Sequence, residues 1–237
     1  MKGFGVFVSK RERESYDALS AINQIKQGKK RNFDETLDLG CRLNIGSSKT
    51  KSDQNGIRGS IEMPFGTGKK VKIAVFCADA DKFNEIKNAG ADYVGAEDLV
   101  DEFKSGSISC DVCLASPDAM MMLAKISKIL GPKKLMPSPK SGTVGTNLVE
   151  LVKSFKKGKV VYKSDASGSL HAGIGKLSFA SEDLLANLHA LLEDIMSKAP
   201  SSNKVVFVKE LFVSSTMGEG SCLLDKKSLA VKTGDVK

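Results

Sequence analysis

The chain has 237 residues, 41% of them hydrophobic and 27% charged, which excludes wholesale disorder and leaves room for one large folded unit or two small ones. Its net charge of +8 favours a polyanionic partner, because each phosphate neutralised by Lys or Arg releases counterions. No apolar run approaches the ~20 residues that a membrane-spanning helix needs, so no membrane partner is expected.

The first residues combine a short apolar patch, Phe4 to Val8, with Lys10, Arg11 and Arg13, an order that does not suit a secretory leader. Leu19, Ile22 and Ile25 recur at helical spacing and predict a helix over 16–27, which Gly28 and the basic cluster Lys29, Lys30 and Arg31 end. Alternation from Asn32 to Leu39 predicts a half-buried strand continuing to Ile45. A polar loop over 46–56 and a second strand over 57–63 follow.

The pattern changes at Gly66-Thr67-Gly68-Lys69-Lys70. Strands are predicted at 71–77, 93–94 and 111–115, with helices at 80–88, 97–104 and 118–129 between and after them. Such alternation implies a parallel sheet with helices on its faces. Leu130 to Gly145, dense in Gly, Pro and Lys, is predicted as an irregular basic loop, followed by a helix over 146–155. The β pattern returns at 160–162 and 171–179. A long amphipathic helix is predicted over 181–198, with Ser181 as its cap and Pro200 beyond its end. The last apolar strand, 205–213, runs into Ser214-Ser215-Thr216-Met217-Gly218. The predicted class is therefore α/β (α+β) in two domains. A discontinuous domain of β-sheet plus helices, 1–66 and 159–237, encloses an inserted Rossmann-like parallel α/β domain, 67–158. Glycines at both crossings, Gly66 and Gly68 and then Gly158, fit either a hinge or a pair of turns.

Catalysis finds no support in these residues. Gly66-Thr67-Gly68-Lys69 fails as a phosphate-binding loop, since Met63 and Lys70 stand where glycine and a hydroxyl are needed and the loop precedes its strand. The turn after the first parallel strand, Cys77-Ala78-Asp79-Ala80-Asp81, has no glycine for a dinucleotide. His171 reads as structural and His189 as a packing or surface residue. Five scattered cysteines suit reduced thiols in a cytosol-like compartment. Cys110 and Cys113 form a CxxC pair with neither a second pair nor a nearby histidine. On a strand from Ile108 to Ala115 the two thiols would point to opposite faces, so core packing is favoured over a metal or redox role.

Three segments suit binding. Lys29 to Asp38 places Phe33 beside cations, as stacking on a base would need, although Phe33 equally fits a core anchor. Ser214 to Gly218 offers hydroxyls and bare backbone, or an ordinary turn. Leu130 to Lys140 is a stiff basic loop that fits either a second nucleic-acid contact or a solvated connection.

These blocks, in this order, resemble the ribosomal protein L-one family in its bacterial branch. They are Ile57-Arg58-Gly59-Ser60 with Met63-Pro64-Phe65-Gly66-Thr67-Gly68-Lys69, Ala89-Gly90-Ala91-Asp92-Tyr93-Val94-Gly95, the basic loop through Gly142-Thr143-Val144, His171-Ala172-Gly173-Ile174-Gly175-Lys176, and Ser215-Thr216-Met217-Gly218. The likeness runs over about residues 10 to 222. It implies a structural, non-enzymatic protein of the large ribosomal subunit, without cofactor or metal, in a bacterial-type cytoplasm and monomeric when free of the ribosome. The discontinuous domain would bind large-subunit ribosomal RNA. The whole would form a mobile stalk that assists release of deacylated tRNA from the exit site, and would bind its own messenger RNA to repress translation. RNA contacts carried over by motif are Phe33, Thr36, Asp38, Arg42, Asp165, Ser167, Gly168, Ser215, Thr216, Met217 and Gly218. Asn32 and Ala166 stand where the family has lysines, and Lys29, Lys30 and Arg31 are placed to compensate. Ser138, Phe65 and Gly173 also depart from the pattern, and the first nine residues and the tail from Cys222 lie outside it.

Overall fold

Apolar residues at every second position from Leu37 to Leu43 build the strand around which the two ends of the chain meet. The computed structural model describes residues 15–28, 31–44, 57–79, 82–106, 108–133, 135–165, 167–199, 207–226 and 229. The N-terminal basic arm, Lys29, Lys30, Ile45, the polar loop 46–56, Ala166 and the end of the tail lie outside these residues. Two units emerge, one of residues 1–68 and 160–237, the other of residues 69–159.

The first unit contains β1 (Ser15–Tyr16), α1 (Ala18–Lys26), β2 (Thr36–Leu43), β3 (Arg58–Glu62), then β7 (Lys159–Lys163), β8 (Ser169–Lys176), α7 (Ser181–Ser197), β9 (Val208–Ser215) and β10 (Ser221–Leu224). A five-stranded sheet runs in the order β1-β10-β9-β2-β8, and β3 pairs with β7 separately. β2 is antiparallel to both of its neighbours, β8 and β9. Leu37, Leu39, Cys41 and Leu43 of β2 point into one core with Ile22 of α1 and with Leu184, Leu188, Leu191 and Ile195 of α7. Burying each such side chain stabilises by about 1.5–3 kcal/mol, so this layer holds both helices against the sheet. Within it, Asn187 of α7 is fully buried yet satisfied: its amide nitrogen donates to the carbonyls of Gly66 (2.9 Å) and Ile174 (3.0 Å), and its oxygen accepts from Phe65 N (3.0 Å).

The second unit contains β4 (Ile73–Phe76), α2 (Phe83–Asn88), β5 (Tyr93–Gly95), α3 (Glu97–Ser105), β6 (Val112–Ala115), α4 (Met120–Ala124), α5 (Ser127–Leu130) and α6 (Leu148–Lys157). Its sheet, β5-β4-β6, is parallel throughout. Ile86 of α2 and Leu148, Val152 and Phe155 of α6 cover one face of it. Leu99 and Phe103 of α3, Leu123 of α4 and Leu130 of α5 cover the other. Buried on both sides, β4 is accordingly apolar at every position.

Several sequence expectations shift. The strand expected from Asn32 begins only at Thr36, because the carboxylate of Asp34 accepts from Ser178 N and Oγ and that of Glu35 from Met217 N. Ser181 does not cap α7: Ala180 holds that place, and the Ser181 hydroxyl donates to Asn23 Oδ1 at 2.7 Å. The helix expected over 118–129 breaks in two, and Ser127 Oγ turns back to Ala124 O at 2.9 Å where they join. The loop expected over 130–145 contains a 3-10 turn, Pro139–Ser141, and Val144 makes a parallel bridge to Ala115. Strand β10, in the tail left without a role, pairs with β9 and carries Cys222 into the core. The Cys110 and Cys113 thiols converge instead of diverging, 3.4 Å apart, because Cys110 precedes the strand and the chain bends at Asp111.

Replacing Asn187 with Leu removes the partner of the Phe65 amide and of the Gly66 carbonyl and strands the Ile174 carbonyl in the core. The expected result is a loss of about 2–4 kcal/mol, read from urea unfolding midpoints.

Candidate nucleic-acid interface

The alternation that buries Leu37 to Leu43 turns Thr36, Asp38, Gly40 and Arg42 to the opposite face of the sheet, away from α1 and α7. Pairing sets them in rows with their neighbours. Arg42 lies opposite Ser169 and Glu210, Gly40 opposite His171 and Phe212, Asp38 opposite Gly173 and Ser214, and Thr36 opposite Lys176. The expected residues do not gather into one cluster. Apart from Asp38, which lies between, they fall at the two ends of this face, roughly 20 Å apart at the ~3.3 Å rise of a strand.

At the first end, the Thr216 amide and hydroxyl both donate to Thr36 O, at 3.1 and 3.2 Å, and the hydroxyl accepts from Thr36 N at 3.1 Å. Thr216 thus closes the sheet end, and its hydroxyl faces inward to the strand. Lys176 Nζ donates to Thr36 Oγ1 (3.2 Å) and to Asp34 O (2.9 Å). The Met217 amide donates to buried Glu35 at 3.1 Å, and Arg31 donates to Met217 O at 3.2 Å. These bonds present the Met217 side chain outward at 54% exposure, with Phe33 at 52%. Phe33 is therefore no core anchor. Gly218 closes the turn by donating to Ser215 O at 3.2 Å, and a Cβ there would sit 2.7 Å from Ser215 Oγ. A cleft of about 380 Å³ opens beside this end, lined among others by Arg31, Phe33, Met217 and Gly218.

At the second end, Arg42 lies 3.8 Å from Glu210, a solvent-exposed pair that leaves most of the guanidinium accessible. The neighbouring turn is organised by Asp165, whose Oδ1 accepts from Ser169 N (2.7 Å), Ser167 Oγ (2.8 Å) and Ser167 N (3.0 Å). These donors, the Ser167 hydroxyl first, hold the Asp165 carboxyl below its ordinary range. Gly168 adopts φ 86°, a left-handed conformation that strains any side chain, and its carbonyl accepts from Leu43 N at 2.8 Å. The turn is thereby fastened to the far end of β2.

Between the ends, His171 meets Phe212 edge-on, with ring centroids 5.8 Å apart. Asp38 sits half-buried nearby. Burial pushes its carboxyl above the ordinary value, and the positive charge of His171 and Lys176 opposes that shift only in part. Lys176, His171 and Phe212 were not among the expected contact residues, and Glu35 and Ser214 fell within expected segments without being singled out. The period-two pattern of β8 carried the signal for His171 and Lys176, whereas nothing local marks Glu35. Lys29 and Lys30, expected beside Phe33, lie outside the described residues. Among the described residues, no group of three or more His, Cys, Asp or Glu gathers to hold a metal.

The described first unit is thus an α/β sheet with α1 and α7 on one face and hydroxyls and cations on the other. Comparison with known proteins makes this specific. Residues 25–219 match the model of the ribosomal protein L1p/L10e family. Over 215 residues the chain is 43% identical to the large ribosomal subunit protein uL1 of Rickettsia akari (strain Hartford), covering 91% of this chain and 88% of the relative. The protein of that name from Rickettsia africae (strain ESF-5) is 42% identical over the same shares, and that from Rickettsia typhi (strain ATCC VR-144 / Wilmington) is 42% identical over 86% of this chain and 84% of its own. The chain belongs to the ribosomal protein L1p/L10e family, and it is a structural protein, not an enzyme.

Asp38 yields a test of these electrostatics. Because its folded-state pKa is raised, its favourable contribution is full when it is protonated and is lost as pH rises through the folded value. Asp38→Asn is therefore expected to be more stable than the parent at neutral pH, with the difference shrinking toward acid; thermal midpoints measured across that range check it.

Proposed function

We propose that this chain is a structural component of the large subunit of a bacterial-type cytoplasmic ribosome, and that the open face of its five-stranded sheet binds large-subunit ribosomal RNA. The observation that carries the reading is the shared face. Thr36, Asp38 and Arg42 of β2, the Asp165–Gly168 turn and the Ser215–Gly218 turn lie on or beside one surface whose reverse is helix-covered core. Arg31, Arg42 and Lys176 supply charge for phosphates. The exposed Ser167 hydroxyl is suited to 2′-hydroxyls, and Phe33 and Met217 beside their cleft to an unstacked base.

In the fuller reading, the discontinuous unit anchors the chain on RNA and the inserted unit helps to form a mobile stalk. That stalk assists release of deacylated tRNA from the exit site, and the free monomer represses translation of its own messenger RNA by binding a similar RNA structure. The basic loop supports a second contact. Thr143 clasps it by accepting from Ser138 N (2.8 Å) and donating to Ser138 O (3.1 Å), while Lys133 and Lys140 stay exposed.

Binding of the full chain to a large-subunit stalk RNA fragment, titrated at several salt concentrations against an unrelated hairpin, tests the core of the proposal. Preference for the stalk fragment is expected, and equal affinity for both would reject it. Met217→Ala should weaken stalk binding by about 1–3 kcal/mol, the range of a good specific contact, with unfolding unchanged because the side chain is exposed. For the finer roles, large subunits lacking the chain should release deacylated tRNA more slowly, and added protein should lower cell-free translation of its own message.

A further inference from the structure

We propose that Cys110 and Cys113 form a vicinal dithiol that hydroperoxides convert, reversibly, to an intrachain disulfide. The two sulfurs lie 3.4 Å apart in the reduced protein, and the bend at Asp111 holds them there. The Asp111 amide donates to Lys72 O at 2.9 Å, and its carboxylate accepts from Lys72 N and Lys69 Nζ, both at 3.1 Å. Anchored by these bonds, the chain turns Cys110 onto the same apolar layer as Cys113.

The two thiols differ in the way that stepwise oxidation needs. Cys110 is partly exposed, and the hydrogen bond from Cys113 holds its thiol below the ordinary value, with Lys133 assisting and burial and Asp111 opposing. Cys113 is buried, and its bond to Cys110 together with that burial pushes its thiol well up. The remaining cysteines, Cys41, Cys77 and Cys222, are all buried, and burial raises Cys41 to about 12. One thiol is thus both reachable and activated, and it has a second thiol in contact. Among the described residues no third ligand joins the two sulfurs, and two alone do not make a zinc site.

The chemistry balances with a hydroperoxide as the oxidant. The Cys110 thiolate attacks one peroxide oxygen, the O–O bond breaks, and the leaving oxygen takes up a proton as water or alcohol. Cys110 is then a sulfenic acid, oxidised by two electrons. The Cys113 sulfur attacks the Cys110 sulfur and gives up its proton, the S–S bond forms, and the S–O bond breaks to release water. The new ring encloses only Asp111 and Val112. A dithiol reductant restores both thiols by exchange.

The test treats the native full-length chain with stoichiometric hydrogen peroxide, then unfolds it and alkylates the free thiols with N-ethylmaleimide. The five thiols of the reduced chain should fall to three, and dithiothreitol should restore all five. A peptide map should join Cys110 to Cys113. Cys110 should react roughly tenfold or more faster than the buried three, as exposure and thiolate character dictate. Cys110→Ser, a change at a part-exposed position, should keep its remaining thiols through the treatment. Cys113→Ser should stop at a Cys110 sulfenic acid that dimedone captures. Five alkylated thiols on the treated parent, or a disulfide joining any other pair, would overturn the proposal whether or not the variants fold.

Discussion

Strand β2 is hydrogen-bonded on both sides, to β8 and to β9, and the rest of the first unit depends on that double pairing. With two partners its register cannot slide, since a shift of one residue would turn Leu37, Leu39, Cys41 and Leu43 to solvent and bury Thr36, Asp38 and Arg42. The same alternation therefore sets the core and the polar face together. Gly40 shows how tightly the arrangement is drawn: a Cβ there would lie 2.0 Å from the Phe212 ring, which occupies the space that a side chain would take.

The two units treat their sheets in opposite ways. In the inserted unit, α2 and α6 cover one face of the sheet and α3, α4 and α5 the other. In the first unit, among the described residues, α1 and α7 pack on one face only, and the other carries Thr36, Asp38 and Arg42 with the His171–Phe212 ring pair between its ends.

Much of this was legible in the residues. The change of pattern near Gly66, the parallel unit, and the helical spacing of α1 and α7 follow from hydrophobic period, which depends only on which side of an element meets the core. The reading failed where side chains compete with backbone. Asp34 and Glu35 bond across to Ser178 and Met217, partners far along the chain, so no local pattern could show that the strand begins only at Thr36. Cys110 was misplaced for a related reason: alternation holds within a strand, and Asp111 ends it. In the site, residues on β2 could be found by period and motif, whereas Glu35 and Phe212 matter through what they face across the sheet. Strand β10 escaped because Ser221–Leu224 is too short to show a period.

The clasp between Thr36 and Thr216 spans 180 positions of the chain. Synthesis runs from the N-terminus, so the inserted unit, contiguous from residue 69 to 159, has all its strands before the first unit has its last. β2 then waits for β8 and β9, and its polar face has no defined shape until both have been made. A nascent chain stopped before Ser215 carries Thr36, Asp38 and Arg42 but not Thr216, whose bonds close that end of the sheet. The shape of this face is in that sense a property of the finished polypeptide.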